Sequence, residues 1–129
     1  MQVFKNAWFG RFARKEKISA AALLDAAQRA ENGQIDADSG GGVIKQRIAR
    51  PGEGKSKGYR SIVLFRKGER CFFVFGFPKS ELGNIRDDEE EQFKKMAKQV
   101  LALTDAQLSV LIANGQFEEV VPDDKQIPQ

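Results

Sequence analysis

Histidine is absent from the chain and Cys71 is its single cysteine. Without imidazole, and with one thiol, the usual zinc ligand sets and every histidine-based catalytic triad are excluded. One cysteine also excludes an internal disulfide, and the flanking run Cys71-Phe-Phe-Val-Phe-Gly-Phe77 reads as the core of a strand rather than the surroundings of a reactive thiol. The remaining route to a metal is an all-carboxylate magnesium site at Asp87, Asp88, Glu89, Glu90 and Glu91. Adjacent spacing spreads those side chains around a helix, so they read as a solvated first turn favoured by the helix dipole, and no cofactor is expected. No stretch approaches the roughly 20 apolar residues of a membrane helix, and residues 1–9 lack the apolar region of a signal peptide. A cytoplasmic protein without membrane contact is the expectation.

What is present is charge, unevenly placed. The net charge of +3 conceals 17 Lys and Arg against 8 Asp and Glu in residues 1–86, and 4 against 10 in residues 87–129. Within residues 44–70 nine basic residues face only Glu53 and Glu69. Such concentration predicts a polyanionic partner, most simply nucleic acid, because phosphate neutralisation dominates non-specific affinity.

At 129 residues the chain has the size of one domain. Residues 2–5 are extended in character, and Trp8, Phe9, Phe12 and Ala13 then recur at helical spacing between Asn6 and Lys17. A second helix follows the N-cap Ser19 and stops at Asn32-Gly33. After a loop over residues 35–42 the period becomes two: Ile44 and Ile48 point to one face, Lys45 and Arg47 to the other. The turn at Pro51–Gly54, a strand from about Tyr59 to Phe65, the turn Arg66-Lys67-Gly68-Glu69 and a strand from Arg70 to Phe77 complete an antiparallel meander. Phe93, Met96, Ala97, Val100 and Leu101 predict a helix over about 86–103, and Thr104 with Gln107 a capping box before a short helix ending at Asn114-Gly115. A brief strand at Phe117–Val121 precedes a polar tail, residues 122–129, predicted to be disordered.

Several motifs have a plain structural reading. Ala49–Ser56 fits a relaxed P-loop, but a P-loop needs a helix after its Lys-Ser, and here Lys57-Gly58-Tyr59 enters a strand. Trp8 and the run Phe72, Phe73, Phe75, Phe77 read as core rather than as base-stacking platforms. For Gly40, Gly41 and Gly42 two readings stay open: relief of backbone strain, or close approach of the backbone to a ligand or partner. Lys45, Arg47, Lys55, Lys57, Arg60 and Lys79 are harder to dismiss, since six cations on one small sheet and its loops repel one another unless something offsets them.

The run from Gly40 to Ile85 resembles the heart of the RelE/HigB-type toxins: a glycine-rich lead-in, the element Gly54-Lys-Ser-Lys-Gly-Tyr-Arg60, and the ending Phe77-Pro-Lys-Ser80. The similarity extends over about residues 2–121. It implies an α+β, RelE-like domain spanning 1–121, with an N-terminal helical hairpin packed on an antiparallel β-meander sheet, helices laid against one side of it, and C-terminal helices following. It further implies the toxin of a type II toxin-antitoxin system, a ribosome-dependent endonuclease of messenger RNA whose partners are that message and a cognate antitoxin, often a helix-turn-helix protein. Carried over by position, the catalytic residues are Lys45, Arg47, Arg60 and Lys79, with Lys55, Lys57 and Tyr59 contacting RNA. Relatives place a further basic residue and a Tyr or His beyond the last strand, where this sequence has Leu82 and Ile85, so a general acid is unassigned. Tyr59 is the one tyrosine; alternation puts it opposite Arg60 unless a bulge at Gly58 shifts the register. The alternatives are a ParE-type gyrase inhibitor and a non-catalytic nucleic-acid-binding module.

Overall fold

The described residues form ten elements. The computed structural model describes residues 1–50, 54–78 and 87–122, except the side chains of residues 50, 54–57, 87 and 88. In order these are β1 (Gln2–Asn6), α1 (Ala7–Glu16), α2 (Ala20–Glu31), β2 (Ala37–Gly40), β3 (Val43–Arg50), β4 (Gly54–Arg66), β5 (Arg70–Pro78), α3 (Asp87–Val100), α4 (Asp105–Ala113) and β6 (Phe117–Glu119). From residue 123 the tail predicted to be disordered lies outside the described residues.

Helix ends form where side chains satisfy the first free amides. The Asn6 carboxamide accepts from Phe9 N (2.8 Å), Ser19 Oγ from Ala22 N (3.1 Å), and Thr104 and Gln107 close a reciprocal capping box. Asn6 also donates to Val74 O (3.1 Å), tying the start of α1 to β5.

The sheet has the order β2-β3-β4-β5-β1-β6. The meander β3-β4-β5 is antiparallel as expected, but β1 joins β5 in parallel, so the sheet is mixed. Residues 37–40, read as loop, form an edge strand on β3. Asp, Ser and Gly are poor strand formers; β3 supplies a ladder that local propensity does not register.

Helices cover both faces, correcting the expectation that they lie against one side. On one face α1 and α2 bury Phe9, Ala13, Leu23 and Ala27 against Ile44, Ile48, Val63 and Phe73. On the other, Ala97 and Leu101 of the α3 region and Leu108 of α4 pack with Val43, Ile62, Leu64 and Phe72. Two glycines set these distances. A Cβ on Gly42, whose φ is +85°, would stand 2.7 Å from Leu101 Cδ1, and one on Gly76 would stand 2.7 Å from the Phe12 ring. The close approach that Gly42 permits is to the protein's own α3 region, while Gly40, Gly41 and Gly42 all hold positive φ.

Candidate functional site

Strand register assembles the site. Directly opposed residues share a face, and on the α3 face Lys45 opposes Ile62 while Arg47 opposes Arg60. Across the next ladder Ile62 opposes Phe75 and Arg60 opposes Phe77. The face therefore grades from Val43 and Leu64, through Lys45, Ile62 and Phe75, to Arg47, Arg60 and Phe77. A register shift between Ile62 and Val63, opposite Phe75 and Phe73, produces the last column. It leaves Val74 as the extra residue and moves Phe75 and Phe77 to the face that strict alternation from Phe73 denies them.

Helix α3 covers the apolar end. The Gly42 Cα lies beneath Ala97 and Leu101, and Phe93 meets Phe75 with ring centroids 6.0 Å apart. The helix thus runs from the Phe75 level toward Gly42.

Lys45, Arg47 and Arg60 are each partly buried, and with Asp36, Ala37 and Gln46 they line a small cavity of about 60 Å³. Among the described residues none of the three cations forms an ion pair. Arg60 Nε is buried without a hydrogen-bond partner. Asp36, which lines the same cavity, is occupied elsewhere: its Oδ2 accepts from Arg47 N (2.7 Å) and lies 3.8 Å from Arg29 Nη1. Unpaired guanidinium groups at one position on a sheet have the geometry to accept a bidentate oxyanion such as a phosphodiester.

A polar brace beneath β3 sets where Arg47 stands. Gln46 is 1% exposed on the α2 side, donates to Ala26 O (3.0 Å) and Gln34 O (3.3 Å), and accepts from Asp36 N (2.8 Å). Ser61 Oγ donates to Gln46 O (2.8 Å), and Arg29 Nη2 donates to Arg47 O (2.5 Å). The backbone of Arg47 is held from both sides. Sequence reasoning missed this brace, although a signal existed: Gln46 occupies the apolar parity between Ile44 and Ile48, where a polar side chain needs buried partners.

Of the other predicted site residues, Tyr59 is corrected. It is 2% exposed in the core against α1, its ring edge-on to Phe12 and its hydroxyl donating to Glu16 O (3.2 Å). The β3–β4 register shift lies beyond it, between Ile48 and Arg50, so Tyr59 stays on the face opposite Arg60, and an enclosed ring cannot stack on a base. Lys55 and Lys57 belong to β4, but their side chains lie outside the described residues, and Lys79 lies outside them altogether. Trp8, read as core, is corrected: it is 37% exposed and belongs to neither core cluster, its ring stacking on Phe12 (5.3 Å) and Phe75 (4.6 Å) from the surface. Cys71 is fully buried; desolvation, with a contribution from the Glu31 carboxylate, pushes its thiol far above the ordinary range and keeps it protonated. No group of metal-binding side chains occurs among the described residues, and no helix among them is long and apolar enough to cross a membrane.

A sequence model of the family described as RelE toxin of the RelE/RelB toxin-antitoxin system matches residues 1–120. No curated protein matches the chain.

Proposed function

The chain belongs to the RelE toxin family of RelE/RelB toxin-antitoxin systems, and from that premise we propose that it is a ribosome-dependent endoribonuclease that cuts messenger RNA without a metal. The observation that carries this reading is the row of Arg47 and Arg60 beside Lys45, cations on one sheet face without an ion-pair partner among the described residues. RNA brings its own nucleophile, the 2′-hydroxyl. Attack on the adjacent phosphorus leaves a cyclic phosphate and releases the 5′-oxygen of the next nucleotide, so the protein has to align the groups, stabilise added negative charge and move two protons. Arg47 and Arg60 suit the second task, because guanidinium matches two phosphate oxygens and stays protonated. Lys45, which lies beside these cations, or Lys79 serves as the base that accepts the 2′-hydroxyl proton.

The test uses purified protein, programmed ribosomes and mapping of message ends, with DNA supercoiling followed in parallel. Arg60→Ala and Lys45→Ala at equal abundance are expected to lower cleavage by about 100-fold, the typical effect of removing one group that stabilises developing charge. Cleavage and toxicity equal to the parent's in both variants overturn the site. Altered supercoiling without message cleavage indicates a gyrase inhibitor, and RNA binding without cleavage a non-catalytic module.

A further inference from the structure

The fold leaves one large aromatic side chain in water, close to the basic row. Strand β5 runs to Pro78, but β1 pairs with it only as far as Phe73, because the chain turns into α1 at Ala7. From Val74 onward no strand among the described residues covers the β1 side of β5, and the Asn6 carboxamide, bonded to Val74 O at 3.1 Å, marks where the ladder ends. Trp8 stands at that open edge. On the α1 side the rings of Phe9 and Phe12 already crowd against Gly76, and the indole reaches round the edge to Phe75, which belongs to the α3 face.

Neither neighbour covers the indole. With ring planes about 3.5 Å apart at contact, the centroid separations of 5.3 Å to Phe12 and 4.6 Å to Phe75 correspond to lateral slips of about 4 Å and about 3 Å. Each phenyl ring therefore lies over one part of the indole, and 37% of the residue stays exposed. An indole left in water forgoes the burial by which aromatic side chains stabilise a core. Its neighbourhood suggests what it does instead. Phe75 meets Phe77 at 6.2 Å, and Phe77 opposes Arg60 across the β4–β5 ladder. Two ring contacts thus join Trp8 to the strand neighbour of the arginine whose buried Nε has no hydrogen-bond partner among the described residues.

We propose that Trp8 is a base-binding residue: the uncovered part of its indole stacks with a nucleobase of single-stranded RNA whose phosphates lie along Arg47 and Arg60. Single-stranded nucleic acid is held by cations for its phosphates and by exposed aromatic rings for the π-face that every base carries. A protein segment would call for an aromatic anchor in surroundings depleted of charge, whereas this edge adjoins Arg47 and Arg60, which have no ion-pair partner among the described residues. Such a contact adds affinity with little discrimination among bases. The proposal rests on the reading of the basic row as the phosphate site, and its test separates the two.

Trp8 is the sole tryptophan, so the tryptophan emission of the full chain reports on it alone. The probe is a short 2′-O-methyl RNA oligonucleotide, which lacks the nucleophile and stays intact. An abasic oligonucleotide of equal phosphate number is the control, and end-labelled copies of both follow binding by anisotropy at low salt. The base-carrying strand is expected to quench Trp8, and the abasic strand to bind and leave its emission unchanged. Trp8→Leu is expected to bind the first about tenfold more weakly and the second as the parent does, and Trp8→Phe to restore most of that loss. Thermal melting verifies that each variant is folded, and the quenching of the parent chain needs no variant. Equal quenching by both strands, binding that leaves the emission unchanged, absence of binding, or equal weakening of both strands by Trp8→Leu overturns the proposal. So does self-association abolished by Trp8→Leu, which makes this edge an interface between copies. Arg60→Ala on programmed ribosomes decides the cleavage reading separately. Base-dependent quenching beside undiminished cleavage in Arg60→Ala keeps the base contact and removes the nuclease site; the reverse pattern removes only the base contact.

Discussion

Gln46 decides more of the site than any single cation. Its side chain bonds two carbonyls and one amide, the Ala26 contact buried and the other two part-buried, and the strand it anchors carries Lys45 and Arg47 on its other face. Replacing it by Leu conserves most of the volume but removes the side-chain partner of Gln34 O and Asp36 N, while Ala26 O keeps its intrahelical bond. The expected loss is about 1–3 kcal/mol for each group that water cannot reach, measured as a lower urea midpoint at unchanged slope. If Gln46→Leu unfolds at the parental midpoint, the brace is not a structural tie. Arg60 poses the opposite case. Its Nε is buried without a hydrogen-bond partner among the described residues, so the proposed role predicts that its removal lowers activity and leaves stability little changed.

At the scale of elements, the meander followed from alternation in the sequence, α1 from the helical spacing of its apolar residues and the α2 boundaries from its caps, because those signals are local. Strand β2 did not follow, since Ala-Asp-Ser-Gly has no pattern of its own and pairs only because β3 is beside it. The side on which α3 packs was equally invisible. An amphipathic stripe states that a helix buries one face, not which face of a two-sided sheet receives it. Gly42 is where that docking is decided. Gly42→Ala places a methyl against Leu101 and forces a left-handed φ on alanine, so a destabilisation of about 1–3 kcal/mol is expected. Amide hydrogen exchange should show faster opening of α3 than of α1. Uniform loss of protection across both helices would mean that the glycine serves only its turn.

For the molecule as a whole, the division of charge has a spatial counterpart. The strands β3 and β4 gather Lys45, Arg47 and Arg60 on one face, and a separate groove lined by Lys5, Arg11 and Arg14 lies along α1. Single-stranded RNA bound through phosphate contacts gives a logarithmic affinity that falls with logarithmic salt at a slope of about −0.7 per phosphate neutralised. Lys45→Ala and Arg47→Ala are each expected to flatten that slope by about that amount, whereas Arg11→Glu leaves it unchanged. Equal flattening by all three variants would mean that RNA is held by the general field of a basic protein and not by the strand row.

Composition and spacing by themselves determined the chemistry open to this chain: no imidazole, one buried thiol, a basic meander and an ordered set of capped helices, all properties written in neighbouring residues. Tertiary structure alone decided which of those cations stand together. The bulge at Val74 carries Phe77 to the side of Arg60, the pairing register sets Arg47 opposite Arg60, and packing against Phe12 withdraws Tyr59 into the interior. The physical reason is that register and facing depend on contacts between residues distant in the chain, and a shift of one position in a strand exchanges its two faces.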